Sequence, residues 1–282
     1  MSLGIRDASA DATACRRELL GDEVRADAGK DLLGYRRLGN GKRTVLVLHE
    51  WLGDHSNYFP IMPYLDLNRF TYIFADLRGY GLSRSMRGRF SAIEAAADAI
   101  RLMDLLDVES FDVVGHSMSG LIGQRVLLDA QDRVGCLVAI APVPASGFPL
   151  SPSEKEKLVA VIGDDNAAKA MIASRTSGRY GQGWLNRKLA MVRQAALPEA
   201  MSGYLEMFTQ TDFAAKAVGV RTPVFAIVGA HDIPFYREAN VRHGFERLYP
   251  NFTLLVSQEA GHYPMLETPV LLASEIEEFL AS

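Results

Sequence analysis

Cysteine is scarce: Cys15 and Cys136 are the only two in 282 residues, too far apart for a disulfide scaffold or a thiolate metal site. A reducing, cytoplasmic setting is the resulting expectation. Charge of one sign is not concentrated anywhere either. The net charge of -4 is spread along the chain, so neither nucleic acid nor a membrane surface is an expected partner. No apolar run is long enough to cross a bilayer, and the opening "MSLGIRDASADATACRR" lacks the apolar stretch of a secretory signal. Missing too are a metal-ligand cluster of His, Cys and carboxylates and a phosphate-binding glycine loop of either common type. The expectation is therefore no cofactor, no metal and a small-molecule substrate, in a monomer or homodimer.

What is present is an alternation. The chain is 48% hydrophobic and 23% charged, which suits one large α/β domain or one domain with an insertion. "TVLVLHE", "TYIFADL", "FDVVGH", "CLVAIAP" and "PVFAIVGA" are continuous apolar runs of the kind that strands buried on both faces require. "FTLLVSQE" follows as a last strand. Between the runs lie helical patterns. "SAIEAAADAIRLMDLL" opens with Ser91 and Glu94 at capping-box spacing, and the closing "TPVLLASEIEEFLAS" offers Thr268 as N-cap before Pro269. Two weaker stretches, "RRELLGDEVRAD" and "LLGYRRLG", read as an antiparallel edge. The fold class expected is α/β, a mostly parallel eight-stranded sheet with helices on both faces. Residues 147–218 break the alternation with about four helical patterns and no strand. They are expected to form a cap over a pocket, inserted after strand 6 into a core of residues 18–146 and 219–282, with residues 1–17 a flexible N-terminus.

Chemistry-bearing residues gather where strands end: "LHEWLGDH", "DLRGYGLSR", "GHSMSG", "GAHDIP" and "AGHYPMLETP". In an open α/β sheet these ends share one rim, so residues remote in sequence can meet there. The ordered set resembles the α/β-hydrolase superfamily, in its capped single-chain form, from about Glu18 onward. A lone G-x-S-x-G match would be weak, and here it is imperfect because Ser119 stands in the last glycine position. The order serine, acid, histidine matches that family through Ser117, Asp232 and His262.

The resemblance implies roles that the chemistry explains. A serine hydroxyl needs an imidazole to take its proton as it attacks, and the imidazole needs a carboxylate to fix its tautomer. Ser117, His262 and Asp232 are the catalytic candidates. The backbone N–H groups of Trp51 and Met118 would form the oxyanion hole. One departure stands out: His49-Glu50 replaces the family's usual His-Gly. A carboxylate beside a developing oxyanion repels it unless protonated or turned away. Dienelactone hydrolases resemble this stretch in having a glutamate there, but with a cysteine nucleophile and no such cap. Glu50, His49 and His116 are therefore candidate supporting residues.

Plainer roles compete at each position. Ser117 is also a good helix N-cap, and Asp232 would suit a turn with Pro234. His49, His55, His116 and His243 are alternatives to His262, and only His262 sits in a post-strand loop with Glu267 and Pro269 in the family's spacing. Asp76, Arg78, Gly79, Gly81 and Ser83 read as a bracing network. Trp184, Tyr204, Met207 and Phe208 are either pocket lining or helix core. The expected function is a cofactor-free serine hydrolase cleaving a small or medium carboxylic ester or lactone through an acyl-enzyme. The alternatives are a C–C bond hydrolase of the meta-cleavage type and a slow-turnover small-molecule receptor resembling the plant strigolactone receptors or a bacterial stress regulator.

Overall fold

Strand-forming runs become strands within a residue or two of where the apolar pattern places them. The computed structural model describes residues 22–26 and 31–282. The N-terminal segment 1–17, Cys15 and most of the first edge candidate lie outside the described residues. In chain order the strands are β1 (Asp22–Val24), β2 (Tyr35–Leu38), β3 (Arg43–Leu48), β4 (Phe70–Ala75), β5 (Phe111–His116), β6 (Val134–Ile140), β7 (Val224–Gly229) and β8 (Phe252–Ser257). They form one sheet in the order β1-β2-β4-β3-β5-β6-β7-β8. From β4 to β8 all pairs are parallel, while β1-β2 and β2-β4 are antiparallel, as expected of the edge. Every residue of β4, β5 and β7 is buried, which explains why these runs show no polar alternation. The strand order reverses beside β3, and β3 and β5 are neighbours there. Such a reversal opens a crevice at the strands' C-terminal ends, where Glu50, Trp51 and Ser117 follow.

Helix Ala92–Leu105 starts after Ser91, whose hydroxyl accepts the Glu94 N–H at 3.2 Å. Only half of the expected box forms. The Glu94 carboxylate takes the N–H groups of Arg89 and Phe90 instead, both at 2.8 Å, because Phe90 turns the chain at φ 52°. Helix Pro269–Ala281 begins where Thr268-Pro269 places it, although Thr268 reaches back to the Pro264 carbonyl and makes no capping bond.

Between β6 and β7 run helices Pro152–Gly163, Asp165–Ser174, Gln182–Ala195 and Pro198–Gln210, and a single turn, Ala214–Ala217. The segment rests on the rim of the sheet. The Trp51 indole N–H donates to the Met201 carbonyl at 2.8 Å and the Leu197 N–H to the Gly79 carbonyl at 3.0 Å. Gly79 has φ 78°, and a Cβ there would lie 2.2 Å from that of Ala200, so this approach needs glycine.

The "DLRGYGLSR" loop braces the rim as expected, but Asp76 and Arg78 do not pair with each other. Arg78 binds Asp98 through two bonds of 2.5 and 2.7 Å, and Asp76 takes the ring and the backbone N–H of His55 at 2.7 and 2.8 Å. Ser83 donates to the Asp76 carbonyl and accepts the Gly34 N–H, each at 2.7 Å.

Candidate active site

Ser117 ends β5 and opens helix Met118–Asp129 with φ 56° and ψ -114°, a region that L-residues avoid. It does not cap the helix: its side chain accepts no helix N–H. Three backbone bonds hold the turn. The Ser117 N–H donates to Ile140 at 2.8 Å, and its carbonyl accepts from Gly120 at 2.9 Å and Val143 at 3.0 Å. The demand for small residues falls on Gly115, where a Cβ would sit 2.2 Å from the Ser119 carbonyl oxygen, and on Gly120, where it would meet Pro142 at 2.4 Å. Ser119 instead directs its hydroxyl to the His49 carbonyl, tying the serine turn to the loop after β3. Its departure from glycine has a structural use.

Asp232 follows β7 and His262 follows β8. His262 Nδ1 donates to Asp232 Oδ2 at 2.5 Å, and Asp232 Oδ1 accepts the Ile233 N–H at 2.7 Å. Both residues are buried. The structure therefore brings Ser117, Asp232 and His262 to one place, with Ser117 and His262 lining the same cavity. No hydrogen bond joins the serine hydroxyl to the imidazole, although both side chains line the same cavity. The Glu267 carboxylate takes the N–H groups of Gly261 and Tyr263, both at 2.9 Å, and so shapes the loop around His262.

His116 and His49 support their neighbours through their ring nitrogens. His116 donates from Nε2 to the His262 carbonyl at 2.7 Å, and its Nδ1 is buried without a partner. Burial pushes its pKa down to about 3. His49 donates from Nδ1 to the Glu50 carbonyl at 2.7 Å and accepts the Leu77 N–H at Nε2 at 3.1 Å. His55 belongs to the Asp76 brace, and His243 lies in the last turn of helix Glu238–Phe245.

Glu50 is neither protonated nor idle. Burial would raise its pKa, but opposing charge, led by the Lys188 ammonium, holds it at about 2. His116 also counts against burial only when protonated, so Lys188 is the cation that matters at neutral pH. Lys188 Nζ lies 2.5 Å from Glu50 Oε1, and both side chains are almost wholly buried. The repulsion expected of a carboxylate here is thus cancelled by a cation from helix Gln182–Ala195. The Met118 N–H opens a helix and has no intrahelical acceptor, and the Trp51 N–H takes part in none of the loop and turn bonds of the described residues.

Four residues at the site lie outside the motifs read from the sequence, Met171, Arg175, Lys188 and Tyr236, and a fifth, Tyr263, lies within one without drawing notice. Of the aromatic candidates in the helical segment, Phe208 lines the cavity, whereas Tyr204 packs between Tyr80 and Phe90 and Trp184 lies against Tyr180 and Tyr263. The Tyr236 ring stands edge-on to His262 with centroids 4.6 Å apart, and the Arg175 guanidinium covers its face at 4.5 Å. The cavity at Ser117 measures only about 10 Å³. Through Met171 and Arg175 it adjoins a second, apolar cavity of about 420 Å³, lined by Phe148, Leu150, Leu158, Val161 and Ile233 among others. Among the described residues no group of three or more His, Cys, Asp or Glu side chains could hold a metal ion. No described helix is long and apolar enough to cross a membrane.

Comparison with known proteins places this geometry. A pimeloyl-[acyl-carrier protein] methyl ester esterase of Legionella pneumophila (strain Corby) is 26% identical over 246 residues, 86% of this chain and 97% of that protein. A dihydrolipoyllysine-residue acetyltransferase component of the acetoin cleaving system of Cupriavidus necator is 34% identical over 119 residues. That stretch is 42% of this chain and only 31% of that protein. Among solved structures, a bromoperoxidase from Bacillus anthracis superposes with a TM-score of 0.80 over 93% of this chain and 100% of that one. Its 19% identity speaks for the fold alone. Residues 43–269 match the family described as alpha/beta hydrolase fold. A match that runs from the first parallel strand to the start of the last helix leaves one conclusion: the chain belongs to the alpha/beta hydrolase fold family.

Proposed function

We propose that the protein is a serine hydrolase that cleaves a small or medium carboxylic ester or lactone through an acyl-enzyme. One observation carries the reading: a buried His262-Asp232 bond of 2.5 Å shares a cavity with a serine held at φ 56°. Ser117 Oγ attacks the carbonyl carbon and His262 takes its proton at Nε2. Asp232 keeps the imidazole in that tautomer and stabilises the imidazolium. The N–H groups of Trp51 and Met118 hold the developing oxyanion, and His262 then returns the proton to the leaving alcohol. Water repeats the sequence to release the acid. Residues 147–218 act as a cap, and the apolar cavity beside Met171 takes the acyl or alkyl chain. Likeness to a methyl ester esterase over most of both chains supports an ester as substrate. A serine nucleophile separates this site from relatives that form an alkyl ester on a carboxylate.

The test is a fluorophosphonate probe together with a panel of esters, lactones, thioesters and C–C substrates. The probe is expected to label Ser117, and Ser117→Ala to lower ester turnover by roughly 10⁵-fold with the fold intact. Retained turnover in that variant would sink the assignment. Fast C–C cleavage with slow ester hydrolysis would move the reading to the other reaction, and labelling without turnover would move it to a receptor.

A further inference from the structure

The Glu50-Lys188 pair makes more bonds than charge neutralisation requires. All three ammonium N–H groups of Lys188 find oxygen: Glu50 Oε1 at 2.5 Å, the Leu52 carbonyl at 2.8 Å and Asn57 Oδ1 at 3.3 Å. Its remaining face lies against the Tyr263 ring at 4.7 Å. Every acceptor belongs to the loop that follows β3. Glu50 Oε2 accepts the Leu52 N–H at 3.3 Å, and Asn57 Nδ2 donates to Glu50 Oε1 at 3.1 Å. Leu52 is thereby held at both its N–H and its carbonyl. The peptide that carries the Trp51 N–H is held at its other end by His49, through the Glu50 carbonyl.

We infer that Lys188 is a positioning residue: from helix Gln182–Ala195 it clamps the Glu50-Leu52 curl so that the Trp51 N–H points at the reacting oxygen. The inference rests on the serine-hydrolase reading and deepens it, because docking of the helical segment and completion of the oxyanion hole become one event. A buried ion pair kept only for stability is replaceable by uncharged side chains of similar size at little cost. A clamp is not.

That difference is the test. Lys188→Met leaves the Glu50 carboxylate buried without its cation. The groups still facing it are His116 from the end of β5, His262 after β8 and Arg175, the residue that caps the C-terminus of helix Asp165–Ser174. The phenols of Tyr58, Tyr80 and Tyr263 face it as well. None bonds the carboxylate as the ammonium does, so burial drives its pKa upward, and kcat falls as pH rises and the carboxyl ionises beside the oxyanion. The wild type has no such descending limb, and Glu50→Gln/Lys188→Met loses it again.

The double variant also guards against a single variant that fails to fold. It is expected to melt close to the wild type while its kcat on an ester is lower by about 10- to 100-fold, KM being little changed. A double variant with wild-type kcat overturns the clamp, as does one whose loss lies in KM alone. Fluorophosphonate labelling separates the two levels. Absence of label on Ser117 in the wild type overturns the hydrolase reading and the clamp together, whereas normal labelling with wild-type kcat in the double variant overturns the clamp alone.

Discussion

Two buried histidine-carboxylate pairs sit in this molecule with nearly the same geometry. His262 Nδ1 meets Asp232 at 2.5 Å, and His55 Nδ1 meets Asp76 at 2.7 Å. They differ in what else each pair holds. Asp76 also accepts the backbone N–H groups of His55 and Leu82, at 2.8 and 2.7 Å, and joins the loop after β3 to the loop after β4. The His55-Asp76 pair is a joint. Asp232 uses its second oxygen on the adjacent Ile233 N–H, and its histidine lines a cavity beside Ser117. The bond itself does not mark a candidate catalytic site; the group placed beside the histidine does.

The contrast breaks if both pairs respond alike to the same change. Asp232→Asn is expected to lower ester kcat by roughly 10⁴-fold with little loss of stability, measured by steady-state kinetics and urea unfolding. Asp76→Asn is expected to do the reverse. It removes about 2–4 kcal/mol of unfolding free energy by leaving His55 and the Leu82 N–H poorly matched, while the folded fraction keeps its kcat. A rate collapse in folded Asp76→Asn would erase the distinction.

pH sharpens the comparison further. Burial works to lower the His55 pKa, but Asp76 outweighs it and the net shift is upward; burial works to raise that of Asp76, but His55 outweighs it and the net shift is downward. The stability from charged His55 is complete below its ordinary value of 6.5 and is lost as pH rises through the raised value. That from Asp76 is present above its ordinary 3.8 and is lost as pH falls through the depressed value. The melting-temperature gap between wild type and His55→Gln is thus expected to be widest between those two pH values and to narrow in alkali. A gap independent of pH would count against the joint being ionic. The smallest effect belongs to Ser119→Gly, which loses the bond to the His49 carbonyl and costs about 1 kcal/mol in urea unfolding. Activity persists in that variant if Ser117 is the nucleophile.

The sheet was legible because β4, β5 and β7 are buried along their whole length, so composition alone marks them. Helices Gln182–Ala195 and Pro198–Gln210 were legible from the spacing of their apolar residues. Caps were read less well. Glu94 and Thr268 stand at the right positions, yet the local turns give their side chains other partners. The trio of Ser117, Asp232 and His262 was readable since each follows a strand that reaches the same rim. Lys188 was not, although a signal existed. It interrupts the stripe Leu185, Leu189, Val192 on the buried face of its helix, where a lysine has no reason to be unless an acid waits opposite. Glu50 announced half of that pair, and only the fold shows that the two ends meet. Arg175 and Tyr236 carried no pattern at all, because tertiary contact alone brings them to the cavity.

The pair also has a bearing on recombination. Glu50 and Lys188 stand 138 positions apart, one before the inserted helices and one within them. A chimaera that receives another protein's helical segment would inherit one charge without its counterpart, buried against the cavity that Ser117 lines. Shuffling at this boundary therefore has to move two distant codons together, however well the helices themselves fit.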